Sequence, residues 1–294
     1  MKFSRMDLAD CVTPEALLAE IHKLQEGAFP IPVPIDLWAL ALDITAITAL
    51  ETEGFQGGLV MFPDRSSGTI LVNEAAGCRR RRFTIGHELG HFLLPWHTPR
   101  SGQGFLCSSK DMTVFRATPG GDRYIEMEAQ ANRFSAGVLM PAAPMRADLR
   151  ARRHFEVSHI VELADRYEVS KESMARRCVD LYDDAIAVVF SRAGNVVRAY
   201  RGKDFPRLGL AANDPLPAGS VARRATLAAG QNSEREEAPA DRWLENSRGT
   251  VSEQTIGQQN DYRLTLLTFE AESDDADDDE EVERAWAPPQ FRKG

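Results

Sequence analysis

The sequence predicts an α+β protein, and three observations predict it. Apolar residues recur at helical spacing in several separate stretches. Two short β-type runs flank a turn between them, and alternating strands return near the C-terminal end. The 294 residues suit one large domain or two ordinary ones of ~100–200 residues each. At 43% hydrophobic and 27% charged the composition is globular, which excludes wholesale disorder and a collagen-like chain.

Residues 14–25 read as a helix, with Leu17, Leu18, Ile21 and Leu24 on one side and Thr13 as cap. Pro30, Pro32 and Pro34 interrupt it, and Pro34 opens a second helix through Leu37, Leu40 and Ala41. A β-rich run covers residues 44–50. Residues 58–62 and 69–73 then form a hairpin around the turn Pro63-Asp64-Arg65-Ser66-Ser67-Gly68. The basic cluster Arg79-Arg80-Arg81-Arg82 opens a helix over residues 83–94, stopped by Pro95. Residues 98–118 read as a loop with short elements, and residues 123–139 as a helix ending at Pro141. Residues 160–181 read as two helices joined at Glu168-Val169-Ser170, followed by strands at 185–190, 196–200 and 262–269.

These readings divide the chain into residues 1–145, a helical segment 146–183, a small α/β module 184–270 and an acidic tail 271–294. Residues 270–284 hold ten carboxylates against one arginine, which accounts for the whole formal charge of −9. The body is therefore charge-balanced and argues neither for nor against nucleic acid. The tail reads as a solvated, disordered extension. No apolar run reaches the ~20 residues of a membrane helix. The N-terminal MKFSRMDLADC has charges where a signal peptide is apolar, so a cytoplasmic location is expected. Cys11, Cys78, Cys107 and Cys178 form no CxxC pair and are expected as reduced thiols.

The strongest chemical signal is His87-Glu88-Leu89-Gly90-His91. On a helix, positions i and i+4 share a side, so both imidazoles can reach one metal ion, while Glu88 points off that seam toward where a reacting water would sit. A catalytic zinc takes three protein ligands and keeps a fourth position open. The helix over 123–139 offers Glu128 as the third ligand, with Asn132 one turn later to orient a histidine. Glu126 lies about 200° around that helix from Glu128, so the two cannot both face the metal. The plainer alternative is two hydrogen-bonded core histidines with surface glutamates.

His97 and Tyr124 are candidates for contacting the substrate or the transition-state oxyanion, with an ordinary loop histidine as the alternative at 97. Cys107, in a Gly/Ser-rich loop, is either a small buried side chain or a thiol that takes the open metal position and inhibits. Residues 163–177 have the cadence of a helix-turn-helix capped by Ser170. Lys171, Ser173, Arg176 and Arg177 could then face DNA; the alternative is a helical pair packed on the rest of the chain, favoured by Glu162, Asp165, Glu168 and Glu172.

Residues FTIGHELGHF at 83–92 and EAQANRFSAGVLMP at 128–141 resemble the ImmA/IrrE metallopeptidases, whose pattern is roughly FTxAHELGH followed by ExEANxFAAxLLMP. The resemblance covers about residues 30–145, and the overall length suits the radiation-response type. It implies a minimal gluzincin-like domain holding Zn2+ through His87, His91 and Glu128, with Glu88 as general acid/base. Mn2+ is the alternative metal. It further implies cleavage of a helix-turn-helix (XRE-type) repressor, a helix-turn-helix-like middle and a GAF-like C-terminal module with a sensory role. Gly86, Gln130, Ser135 and Val138 depart from the pattern, and none is a ligand or base. Strand 69–73 is expected as the sheet edge to which a peptide substrate adds. The rival reading is a DNA-binding regulator whose HExxH helix is structural.

Overall fold

A computed structural model describes residues 3–271 apart from 26, 100–103, 116 and 119–120. The chain forms two compact units, Met1–Leu181 and Tyr182–Gly294.

In the first unit, α1 (Pro14–Leu24) begins where the Thr13 hydroxyl accepts the Ala16 N–H at 3.2 Å. Pro14 stands at the first helical position, where a missing N–H costs nothing. After α2 (Ile35–Ala41) comes a four-stranded sheet of β1 (Ile44–Leu50), β2 (Phe55–Met61), β3 (Gly68–Asn73) and β4 (Gly104–Ser108). Its order is β1-β3-β2-β4. β1 runs parallel to β3, and β2 is antiparallel to both of its neighbours. Strand 69–73 is thus interior and not the expected edge. The hairpin puts β2 on one side of it, and the β-branched run of β1 takes the other. The free edge beside β2 belongs to β4.

Helices α3 (Cys78–Leu93) and α4 (Arg123–Leu139) are packed closely because small residues line their crossing. A Cβ on Gly86 would stand 2.6 Å from Ser135 Oγ, and one on Gly90 3.1 Å from Phe134 Cδ1. The Ser135 hydroxyl fills the space left at Gly86 and donates to the Phe83 carbonyl at 2.7 Å. Two departures from the family pattern therefore compensate one another. Gly86→Ala alone is expected to destabilise by about 1–3 kcal/mol, as overpacking does. Adding Ser135→Ala should recover most of the loss, with the coupling read from a double-mutant cycle of denaturant melts.

Three more helices complete this unit: α5 (Ala142–Arg150), α6 (Val157–Arg166) and α7 (Lys171–Leu181). The basic start of α3 is neutralised from around it. Arg79 pairs with Asp165 at 2.5 Å, Arg82 with Glu168 at 3.4 Å and Arg81 with Asp36 at 2.7 Å. The segment 146–181 therefore belongs to the same compact body as the HExxH helix.

The second unit is an antiparallel sheet of β5 (Ile186–Arg192), β6 (Asn195–Arg201), β7 (Glu236–Pro239), β8 (Thr250–Gly257) and β9 (Tyr262–Glu270), in the order β6-β5-β9-β8-β7. Among the described residues its one α-helix is the four-residue α8 (Val221–Arg224). The expected α/β module is accordingly a β-rich one. Its core gathers Val189, Phe205, Trp243, Val251 and Leu267. The fully buried Glu253 of β8 accepts the Val221 N–H at 2.7 Å and the Trp243 indole N–H at 3.0 Å. Of the acidic tail, residues 272–294 lie outside the described residues. Among the described residues no helix is long and apolar enough to cross a membrane.

Candidate metal centre

Every residue of α3 from 84 to 93 is buried, so His87, Glu88 and His91 are held between the sheet and α4. Glu128 and Asn132 come from the buried face of α4, whereas Glu126 is exposed. His87 Nε2 lies 3.2 Å from one Glu128 oxygen and His91 Nε2 lies 3.4 Å from the other. The two Nε2 atoms are 3.1 Å apart.

The surrounding hydrogen bonds fix which ring nitrogens carry protons. Asn132 donates both amide hydrogens to carbonyls, those of Asp111 and Val114, each at 2.6 Å. Its oxygen is left facing His87 Nδ1 at 2.8 Å, so Nδ1 bears the hydrogen and Nε2 a lone pair. On the other histidine, Gln130 Oε1 accepts from His97 Nε2 at 3.4 Å. That leaves His97 Nδ1 to accept from His91 Nδ1 at 2.9 Å, and His91 Nε2 also presents a lone pair. Two imidazole nitrogens and a carboxylate thus converge within 3.4 Å of one another. Such a cluster calls for a cation, a proton or a metal ion, and His, His and carboxylate are suitable zinc donors. The donor set fits a metal.

Burial opposes a charge on either histidine. The Glu128 carboxylate outweighs burial at His87 and raises its pKa, while His91 is pushed down to about 4. Burial likewise favours protonated Glu128, but the two imidazoles win and hold it well below the usual carboxylate range. At Glu88 burial wins: with the Glu128 charge added it outweighs the pull of His87 and of the Cys107 thiol and pushes the pKa up to about 8. Both of its oxygens are buried. Its position depends on Gly57 in β2, because a Cβ there would fall 2.9 Å from Glu88 Oε1 and 2.2 Å from Thr84 Cγ2.

His97 is fully buried behind His91, on the ring edge opposite Glu128. The expectation that it touches the substrate gives way to a supporting part, since its reach is spent on the Nδ1 of a ligand. Burial and the neighbouring His91 lower its pKa to about 2, which keeps it neutral as that relay requires. Tyr124 is half-buried one turn before Glu128, and burial together with that carboxylate raises its pKa. Cys107, on β4, joins the cluster itself: ligand atoms of His87, His91, Cys107 and Glu128 all lie within 4.8 Å of one another.

Sequence reasoning missed two contributors. Gln130 sets the His97 tautomer and was visible only as a departure from a pattern. Arg65, read as a turn residue, donates from Nη1 to the carbonyls of His91, Phe92 and Leu94 at 3.2, 3.1 and 2.8 Å. Its Nη2 bonds the His97 carbonyl. A guanidinium at the end of α3 satisfies carbonyls that have no partner within the helix and complements its dipole.

The four candidate DNA contacts differ in what they touch within the chain. Arg177 Nε donates to the Met140 carbonyl at 3.0 Å, and the Arg176 guanidinium stacks over Phe115 at 3.7 Å. Ser173 belongs to the cap of α7, its N–H donating to Ser170 Oγ at 3.0 Å. Lys171 sits near Asp165 and Arg79, with burial lowering its pKa. Two of the four, Arg176 and Arg177, thus make packing contacts within the chain, as the helical-pair alternative expects.

Residues 44–179 match the family profile of peptidase M78, the IrrE N-terminal-like domain. The match extends through the helical pair. Over 110 residues the chain is 34% identical to the radiation response metalloprotease IrrE of Deinococcus radiodurans, covering 37% of this chain and 30% of that protein. It is similar in fold to a Mycobacterium tuberculosis transcriptional regulator, with a TM-score of 0.52 and 14% identity over 90% of this chain and 76% of that one.

Proposed function

Residues 44–179 belong to the IrrE N-terminal-like peptidase family, and on that premise we propose that the chain is a zinc-dependent endopeptidase whose substrate is a helix-turn-helix (XRE-type) repressor. The observation that carries the enzymatic part is the convergence of the two Nε2 atoms on the Glu128 carboxylate beside the buried Glu88. His87, His91 and Glu128 would hold the metal, with Zn2+ preferred over Mn2+ for this donor set. When bound, the metal supplies Lewis acidity, polarising the scissile carbonyl and making water easier to deprotonate.

Glu88 takes a proton from the attacking water and hands it to the leaving amine. A group pushed to about 8 without a cation is a good proton acceptor, and a nearby cation would draw its pKa toward neutrality. Asn132 and the Gln130–His97 pair hold the two imidazoles in the ligating tautomer. Tyr124, beside Glu128 and partly open to solvent, is the remaining side chain placed to touch the substrate. The exposed edge of β4 can pair with an extended peptide through main-chain hydrogen bonds. Phe105 on that strand stacks on His91 with ring centroids 4.2 Å apart, so a peptide on the edge lies next to the centre.

The repressor as substrate rests on kinship with a metalloprotease of the radiation response. In the same reading, residues 184–270 form a GAF-like sensory module, residues 146–183 retain a helix-turn-helix-like layout in a packing role, and the site of action is the cytoplasm. The test is to incubate the metal-loaded chain with helix-turn-helix repressors encoded beside its gene and follow fragments by mass spectrometry. A single metal-dependent cut, absent with chelator, is expected; intact repressors throughout would overturn the substrate assignment.

A further inference from the structure

Catalytic metal centres leave one corner free, whereas structural ones are closed by four protein ligands. Here a fourth donor is already at the corner. We propose that Cys107 Sγ is a displaceable fourth ligand, so that the resting centre is closed by two histidines, a glutamate and a cysteine, and is opened by a substrate strand arriving on β4. The inference rests on the metallopeptidase reading and adds a latency device to it.

Three observations carry it. The four ligand atoms lie within 4.8 Å of one another, while a tetrahedron with Zn–N of ~2.0–2.1 Å and Zn–S of ~2.3 Å has edges of about 3.3–3.6 Å. Small side-chain rotations span that difference. Secondly, the thiol is turned inward from an edge strand. Cys107 is 2% exposed, whereas Leu106 beside it is 68% exposed. Thirdly, Cys107 is paired in register with Gly57, whose missing side chain leaves room for Glu88. Glu88 and Glu128 both turn buried carboxylate oxygens toward this space, and the Cys107 thiol is close enough to Glu88 to hydrogen-bond it.

The placement on β4 couples the ligand to the substrate. Coordination releases the thiol proton to solvent, and displacement returns a proton to sulfur, so no oxidant or reductant is consumed. A peptide pairing with the outer edge of β4 presents its carbonyl to the same corner, and carbonyl oxygen and sulfur compete for one position. Cys107→Ser removes the strong soft ligand at nearly constant shape, and Cys107→Ala removes the donor altogether.

Cobalt substitution of the full chain reads this directly. Metal-free wild type titrated with Co2+ is expected to show a near-ultraviolet thiolate-to-cobalt charge-transfer band. Cys107→Ser and Cys107→Ala should each still take up one equivalent of Co2+ but lack the band. Their affinity should fall by at least the ~10–100-fold typical of losing an outer-sphere partner, and Cys107→Ser should cut a peptide substrate faster than wild type. Wild type that binds Co2+ without the band, at the affinity of the variants, would overturn the proposal and leave the peptidase reading standing. A band that disappears in both variants without peptide cleavage by any of the three proteins would keep the sulfur ligand and overturn the peptidase reading. Failure of all three to bind Co2+ would overturn both.

Discussion

Glu88→Gln is expected to stop peptide cleavage while leaving the metal bound. Glutamine keeps the shape of the side chain but cannot accept the proton, and loss of general acid–base assistance costs typically 10²–10⁴-fold in rate. The ligands His87, His91 and Glu128 are untouched, so metal stoichiometry measured on the purified variant should equal that of wild type. Equal activity in the two proteins would sink the assignment of Glu88.

The same substitution has a second signature in the metal-free protein. Burial raises the Glu88 pKa from an ordinary 4.5 to about 8, so the folded state binds this proton more tightly than the unfolded state does. The stabilisation is fully present below pH ~4.5 and is lost as pH rises through about 8. Glutamine does not ionise. Between pH 5.5 and 9 in chelator, wild type should therefore lose on the order of a few kcal/mol more stability than Glu88→Gln. Thermal melts across that range give the comparison.

Glu128→Gln is expected to abolish metal retention. Glu128 is the one carboxylate that contacts both Nε2 atoms, and Glu126 is exposed on the other side of its helix. Removing the one anion that, among the described residues, contacts both histidines should exceed the ~10–100-fold loss that follows from disturbing a partner such as Asn132. In the metal-free state a second loss is expected. The two imidazoles hold the Glu128 carboxylate well below the usual range, so the apo variant should be less stable than apo wild type at neutral pH. Competition with a coloured chelator measures the first effect and denaturant melts the second. Unchanged affinity would show that the metal, if bound, is held elsewhere.

The legible parts of this molecule were those written in local periodicity. An i, i+4 pair of histidines states its own geometry, and the same spacing picked out Glu128 with Asn132. Strand order was not legible, because β1 and β2 are both plausible neighbours of β3 and only the folded chain shows that it takes both. The interior strand β8 was missed for a different reason. Ser252, Glu253, Gln254 and Thr255 make it polar in sequence, yet Glu253 is satisfied by the Val221 amide and the Trp243 indole, and Thr255 by Thr265 at 3.0 Å. Arg176 and Arg177 left two readings open, since spacing does not separate cations that face solvent from cations that pack on the chain. The Arg65 and Gln130–His97 contacts join residues 26 to 33 positions apart, which no periodicity records.

The Arg65 guanidinium gives the hairpin tip a mechanical hold on the histidines. Four carbonyls, including those of His91 and His97, share one cation carried by a surface turn. Anything that tugs on that tip, whether an antibody, a crosslink or an inserted residue, would pull on His91 and on its neighbour behind it at the same time. A surface bend is in effect a handle on a buried histidine cluster.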